Sequence, residues 1–550
     1  MTKRAFLQII AASVIAIAFI TQPVKVSTQT ANDLAAKVDG VFGKWTQVSP
    51  GCAVAVSVNG KQVLAKGYGM ADLEHDIKNT AETIFEAGSV SKQFTAAAVL
   101  LLARDGKLSL DDPVRKYIPE LPDYGAPLTI RHMLNHTSGL RDWGNIAGIA
   151  GWPRTSRVHT HAHVLEIVSK QSALNFPSGT RWSYSNTGYN LAAILVSRVS
   201  GMSFAQFTRQ RLFEPLGMTH TSWRDDYTRV VKDRSIAYSD DRDGFHTDMP
   251  FENVHGNGGL LTTVGDLLKW NENFVTLKVG DAAFVKEQQQ PGRFNDGRTH
   301  DYAFGLMIGE YKGLHEVSHS GSTAGYRAFL TRYPDQKVSV AVLCNVSSGM
   351  ATQYAHAVAD LYLASSLKPV VRPTPAVTLT SEEMDAVAGL YRNTKTGLAV
   401  NITRNNDGLR IGQTALVAMS AARFVAANGQ TWEIARGAAR QTDRFGTVDS
   451  YERVMPAKPT SEQLKEFVGT YTSDDAETVL TATIVGDTLV LKRRPDATIR
   501  LTPIYADAFS GGGLGTVIFR RDAAGRVTGL SVSQDRVWDL RFKRQAVQMQ

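Results

Sequence analysis

Twelve residues beginning at Thr380, "TSEEMDAVAGLY", return at Thr460 as "TSEQLKEFVGTY". The offset of 80 aligns Gly389 with Gly469 and Tyr391 with Tyr471. A self-similarity of this kind marks one structural unit used twice, so the end of the chain must hold a duplicated small fold. "MPAKP" separates the copies. Each opens on a short helical stretch and continues as short strand-like runs between Gly and Asp turns, about eight strands per copy. This predicts two small antiparallel β-barrels, over 380–455 and 456–550. "KPVVRPTPAVT", with Pro369, Pro373 and Pro375, precedes them as an extended linker over 367–379.

Residues 32–366 are patterned differently. "GCAVAVSVNGKQVLAKGYG" alternates on both sides of Asn59-Gly60, a strong hairpin signal. A helix is expected from Ser89 to near Asp105, closed by Gly106, and others at "TGYNLAAILVSRVSG" and "TTVGDLLKWNENF". Strand character returns at "GYRAFLTRYPDQKVSVAVLCN", before a last helix, "MATQYAHAVADLYLA". Strands at both ends of a helical middle imply an α/β unit: one antiparallel sheet closed by the two ends of the segment, with helices packed on it and a helical subdomain between.

Within 550 residues a net charge of +8 is too dilute for a nucleic-acid footprint. The densest basic run, "LKRRP" from Leu491, is read as a solvated strand face. The N-terminus, "MTKRAFLQIIAASVIAIAFITQP", has a basic start and an apolar run from Ala5 to Ile20. That is the layout of a signal peptide, so residues 1–31 are expected to direct export, to the periplasm or beyond. With no clean small-x-small cleavage site, an uncleaved membrane tether stays open. The two cysteines, Cys52 and Cys344, exclude a disulfide-dense scaffold or a multi-cysteine metal centre. Each shares a strand face with valines and reads as a buried thiol.

The chemistry starts in "GSVSKQFTAAAV" from Gly88, where Ser89 and Lys92 lie three residues apart at a helix start. A chain this long holds about two Ser-x-x-Lys matches by chance, and a second is present at Ser365 and Lys368. Context separates them. A serine hydroxyl is a poor nucleophile without an adjacent base. A lysine one turn away serves if burial lowers its pKa. A helix N-terminus also offers N–H groups to an oxyanion. "RWSYSNTGYN" adds Tyr184 and Asn186 on a loop before a helix, and "VSHSGSTAGYRAF" adds His319 and Gly321 on a strand. His136, in "NHTSGL", is read as a turn residue. "HTHAH" brings together His159, His161 and His163, but only the first and last share a helical face, and Thr160 fits an N-cap better than the cluster fits a metal. No G-x-S-x-G elbow, Walker motif or dinucleotide fingerprint occurs. No metal and no cofactor are expected.

With "SVSKQF", "MLNHTSGL" from Met133, "YSNTGYNL", "FEPLGMTHT" from Phe213 and "NGGLLTT" from Asn257, the chain resembles the serine β-lactamase and penicillin-binding family. The resemblance is to the branch of class C β-lactamases, DD-peptidases, D-aminopeptidases and carboxylesterases, over about residues 35–365. It implies Ser89 as nucleophile, Lys92 as base, Tyr184 as proton shuttle and Asn186 as a contact to the substrate amide. His319 stands where class C β-lactamases carry a lysine. The oxyanion hole would be the backbone N–H groups of Ser89 and Ser322. In that fold the first and last strands are antiparallel neighbours, which would let Cys52 and Cys344 face each other, and an exported protein permits a disulfide.

A catalytic unit followed by two barrels is similar to the three-domain D-aminopeptidases, in which a loop of the last domain limits the active site to short substrates. The matching stretch here is "DAFSGGGLG", Asp507 to Gly515, glycine-rich and short. It predicts a loose cleft with Asp507 as the one group able to attract an α-ammonium. The expected activity is hydrolysis of small amides or esters through an acyl-enzyme, with D-amino-acid peptides foremost. A β-lactamase or DD-carboxypeptidase is the alternative, and a non-catalytic binding protein the third. The Ser, Lys and Tyr set disfavours the third, and a histidine in place of a permanently charged lysine disfavours an efficient β-lactamase. The partner is a small peptide or ester, and the oligomeric state is left open.

Overall fold

The computed structural model describes residues 28–546, apart from 371, 406, 407 and 436. The expected export segment therefore lies outside the described residues except at its end, where the helix Thr28–Val41 begins.

The unit over residues 32–366 is built on a six-stranded sheet in the order Met307–Tyr311, Leu314–Thr323, Tyr326–Tyr333, Val338–Cys344, Cys52–Val58, Lys61–Tyr68. Every neighbouring pair is antiparallel. The two ends of the segment meet at its centre, in register from Cys52 opposite Cys344 to Val58 opposite Val338. Asn59 (φ 52°) and Gly60 (φ 74°) turn the first hairpin in the left-handed geometry that matches strand twist.

Side-chain alternation splits the central strands between two cores. Cys52, Val54, Val56, Val340 and Val342 pack with Phe42, Tyr354 and Val358 beneath the outer helices. Ala53, Ala55, Ala341 and Leu343 face the larger core around the helix Lys92–Arg104. Alanines on that face let the helix approach closely. Cys52 and Cys344 are joined as a disulfide, so the reading of two free buried thiols is replaced by a cross-strand link between the first and last strands.

The repeat has a physical meaning. Thr380 and Thr460 each cap a short helix through a capping box, with Glu383 and Gln463 closing it. Tyr391 and Tyr471 each donate to a carbonyl four residues back, Val387 and Phe467, both at 2.8 Å. A side chain on Gly389 or Gly469 would strike Arg453 or Arg544 respectively. The first copy is a closed eight-stranded barrel from Gly389 to Val454, and the second a nine-stranded sheet from Gly469 to Arg544. The second therefore has one strand more than the first, and its end strands, Ala497–Arg500 and Thr502–Tyr505, are not paired with each other.

The run "LKRRP" departs from its sequence reading. Lys492 is exposed, but Arg494 donates to Ala150 O (2.7 Å) and Arg493 to the carbonyls of Gly148 and Ile149. These carbonyls lie in the last turn of the helix Trp143–Ala150, where cations meet the negative end of the helix dipole. The two arginines dock the second barrel onto the first unit.

Candidate active site

Ser89 lies in a 3-10 turn, Gly88–Ser91, with the α-helix starting only at Lys92. The expected helix is thus one turn shorter, because Gly88 takes a positive φ (51°) to bring the chain against the sheet. A Cβ there would fall 2.6 Å from Ser322 N, and one on Gly321 2.1 Å from Ala87 O. Both glycines permit a backbone-to-backbone approach that no other residue allows. It sets Ser89 beside the strand Leu314–Thr323, which carries His319, Gly321 and Ser322.

Lys92 is wholly buried. Its Nζ lies 3.0 Å from Ser89 Oγ, 3.0 Å from Asn186 Oδ1 and 2.6 Å from Asn257 O. Burial, and then the positive charge of Arg536, hold the ammonium pKa well below its ordinary 10.5. An uncharged amine has two hydrogens. The Asn186 and Asn257 oxygens accept both, which turns the lone pair toward Ser89.

Burial pushes the Tyr184 hydroxyl up, against a hydrogen bond with Ser89 and the charge of Arg536, which pull it down. Its ring lies 4.3 Å from that of His136 and 4.8 Å from Lys92 Nζ. Asn186 opens the next helix, and its N–H donates to Asp142 Oδ2 (2.7 Å). His319 Nδ1 lies 2.6 Å from Ser320 O, so that nitrogen carries the proton, and Nε2 accepts from Tyr302 O–H at 2.9 Å. Burial, then Lys92, push the His319 pKa down to about 3, so the ring is neutral at pH 7.

Ser89, Tyr184, Asn186, His319, Gly321 and Ser322 thus line one cavity of about 790 Å³. Asp507 does not line it. It sits at a positive φ (63°) in a strand turn, held bidentate by Arg521 at 2.9–3.0 Å. An acid so paired has no free charge to offer an α-ammonium, so its expected role is corrected. Ser365 and Lys368, the second match, are exposed beyond the helix Ala351–Leu363. Within "HTHAH", Thr160 is the N-cap and His163 closes its capping box, while His161 and His159 face the carbonyls of His255 and Trp152.

Several residues at the site were given no part in the chemistry from sequence. His136 does occupy a turn (φ 59°), but it is also buried against Tyr184, and its Nδ1 accepts from Ser185 N. Asn257 contributes a carbonyl, Asp142 a carboxylate and Tyr302 a hydroxyl. Behind Asn257 lies a buried ion pair of Glu86 and Arg224 at 2.8 Å, with Glu86 also accepting from Gly259 N. Arg536 comes from the second barrel and has no neighbour in sequence that would mark it. "NHTSGL" and "NGGLLTT" contain the first two and were visible as resemblance rather than as chemistry.

Comparison with known proteins fits this geometry. The family described as Beta-lactamase matches residues 29–365. Penicillin-binding protein 4* of Bacillus subtilis (strain 168) is 29% identical over 312 residues, 53% of this chain and 66% of that protein. The D-aminopeptidase of Brucella anthropi is 26% identical over 513 residues, 88% of this chain and 93% of its own, so its likeness reaches beyond the first unit into the barrels. The octameric penicillin-binding protein homologue from Pyrococcus abyssi superimposes with a TM-score of 0.55 over 76% of this chain and 99% of its own, at 24% identity.

Proposed function

We propose, from the premise that this chain belongs to the beta-lactamase family and is a serine hydrolase of the beta-lactamase and penicillin-binding kind, that it cleaves small amides or esters through an acyl-enzyme on Ser89. The observation that carries this reading is the buried Lys92 amine, 3.0 Å from Ser89 Oγ, with acceptors for both of its hydrogens. Ser89 Oγ attacks the substrate carbonyl carbon while its proton passes to the Lys92 lone pair. The N–H groups of Ser89 and Ser322 stabilise the oxyanion. As the carbonyl–leaving-group bond breaks, the leaving nitrogen or oxygen takes the proton of Tyr184 O–H, which Lys92 restores. Water then attacks the ester, gives its proton to the same pair of groups, and releases the acid and Ser89.

The likeness to D-aminopeptidases favours peptides of D-amino acids as substrates. The neutral His319 favours them over β-lactams, whose carboxylate a permanent charge at that position would suit better. Export through residues 1–31 is part of the proposal, and the Cys52–Cys344 disulfide suits an oxidising compartment.

The test is labelling with a fluorophosphonate probe, beside a panel of D-aminoacyl anilides, p-nitrophenyl esters and a chromogenic cephalosporin. Ser89→Ala should abolish labelling and turnover alike. Labelling that survives in Ser89→Ala and disappears in Ser365→Ala would overturn the assignment.

A further inference from the structure

A line of buried charges lies behind the loop that carries Asn257, and the reaction steps above use none of them. Glu86 and Arg224 are both 1% exposed. Arg224 forks onto the carboxylate, Nε donating to Oε2 (2.8 Å) and Nη2 to Oε1 (3.1 Å). The same Nη2 lies 3.8 Å from Oε1 of the buried Glu252, which grips Arg154. Arg154 stands in the wall of the active-site cavity. Carboxylates and guanidiniums thus alternate from Glu86 to that wall. A buried ion pair returns little net stability over an apolar pair of the same volume, so what Glu86 holds besides Arg224 decides what it is for.

It holds Gly259. Glu86 Oε1 accepts from Gly259 N (3.2 Å), while Arg224 N donates to Gly259 O (2.7 Å), so both backbone groups of the glycine end on the ion pair's residues. The strand Phe85–Glu86 also pairs with Leu260–Thr262, and three residues further on is Ser89. Gly256 (φ 97°) and Gly259 (φ 87°) bend the loop in left-handed geometry. Its start is fixed by Asn190 Nδ2, which donates to His255 O (2.9 Å) and Asn257 Oδ1 (2.7 Å), and by Thr95 Oγ1, which donates to Gly256 O (2.8 Å). Its end is fixed by Glu86. Between these two anchors Asn257 O meets Lys92 Nζ at 2.6 Å, the shortest of the three polar contacts of the amine. That acceptor is a main-chain carbonyl, so only the path of the loop can aim it.

We propose that Glu86 is a positioning residue for the reaction: through Gly259 it holds the Asn257 carbonyl against Lys92, and so keeps the lone pair of the amine on Ser89. The inference rests on the serine-hydrolase reading above. Arg224 acts one step further back, by holding Glu86. An amine that loses this acceptor is free to rotate, its lone pair leaves Ser89 Oγ, and the rate falls. The same carbonyl favours the ammonium over the amine, because a charge-assisted hydrogen bond is the stronger. Taking the carbonyl away therefore eases loss of the proton. Misplacement has a signature in two parts, a lower plateau of kcat/KM and an acid limb shifted to lower pH. A general loss of stability reduces the amount of active enzyme and leaves the limb where it was.

The experiment uses full-length Glu86→Asp, which keeps the charge but is one methylene too short to reach both Arg224 and Gly259 N. The probe is a p-nitrophenyl ester, and active sites are counted by fluorophosphonate titration so that misfolded protein drops out. Per active site, kcat/KM on the plateau should fall about ten- to hundredfold, the cost of a slightly misplaced group, and the acid limb should move to lower pH. Arg224→Lys keeps its charge but not the fork, and should give both changes at smaller size. It carries the test should Glu86→Asp not fold. A plateau or an acid limb that stays at its wild-type position overturns the proposal. A crystal structure of Glu86→Asp reads the same link without turnover: Asn257 O should leave hydrogen-bonding reach of Lys92 Nζ, and a carbonyl still in place overturns the proposal as well. A carbonyl that moves in this way, in a protein whose wild type turns over no probe, counts against the hydrolase reading alone.

Discussion

Lys92 is the residue on which the chemistry depends, and its protonation gives a measurable consequence. Its pKa is lowered, because burial and the Arg536 charge both oppose the ammonium. The active form is the free amine, so kcat/KM should fall as pH drops through the lowered pKa, where a proton occupies the lone pair. His319 does not account for that limb above pH 4, since its own pKa is pushed down to about 3. Removing a nearby cation eases formation of the ammonium. In Arg536→Ala the acid limb should therefore move to higher pH, for a neutral p-nitrophenyl ester as for any other substrate. A limb that stays in place would mean that Lys92 does not set it. Lys92→Ala itself should cost about 10²–10⁴-fold in kcat, the usual worth of a positioned base.

Among the elements, the central strand pair joins the two ends of a long chain segment, and the disulfide fixes that pairing across 292 residues of separation. Cross-links that close long loops act chiefly on the unfolded ensemble. Replacing both cysteines by serine should lower unfolding free energy by about 2–4 kcal/mol, read as a fall in the urea midpoint with an altered slope. Thiol titration of the unreduced protein in denaturant should find none, and two titrating thiols would contradict the pairing. The strands were legible because alternation is a period-2 signal with one solution: "GCAVAVSV" and "KVSVAVLCN" put alanines on one face and valines on the other. The start of the Lys92–Arg104 helix was less so. Propensity in "SVSKQF" suits a helix throughout, but the positive φ of Gly88 and its contact with Ser322 are tertiary demands. "LKRRP" misled for the same reason, since the helix end that Arg493 and Arg494 satisfy belongs to another domain. Ser89, Lys92, Tyr184 and Asn186 were readable as short local patterns. Asp507 was placed by analogy of position, and its pairing with Arg521 could not be seen from residues 14 apart. Arg536 carried no local pattern at all.

The whole molecule makes sense of the second barrel as a part of the catalytic unit rather than an appendage. Ile146 and Ile149, on the helix Trp143–Ala150, are buried in one cluster with Leu480, Leu489 and Val532 of the barrel. Beside them Arg141, buried at 4% side-chain exposure, pairs with Asp475 at 2.9 Å and donates to the carbonyls of Trp538 and Asp539. Arg141 adjoins Asp142, which bonds both Arg536 O and Asn186 N. One contact thus serves stability and the placement of the Arg536 turn. Taking away one partner of a buried pair leaves the other charged and uncompensated, which costs about 3 kcal/mol. Asp475→Ala should destabilise the protein by about that amount in urea unfolding. It should also move the acid limb of kcat/KM to higher pH, toward that of Arg536→Ala, because the turn that carries Arg536 beside Lys92 loses its tether. Asp475→Asn, which keeps a hydrogen-bond acceptor but not the charge, should fall between wild type and alanine on both measures. A change within about 0.5 kcal/mol, the range of an ordinary surface substitution, would show that the barrel is held by its apolar contacts alone and that the Arg536 turn is positioned without Arg141.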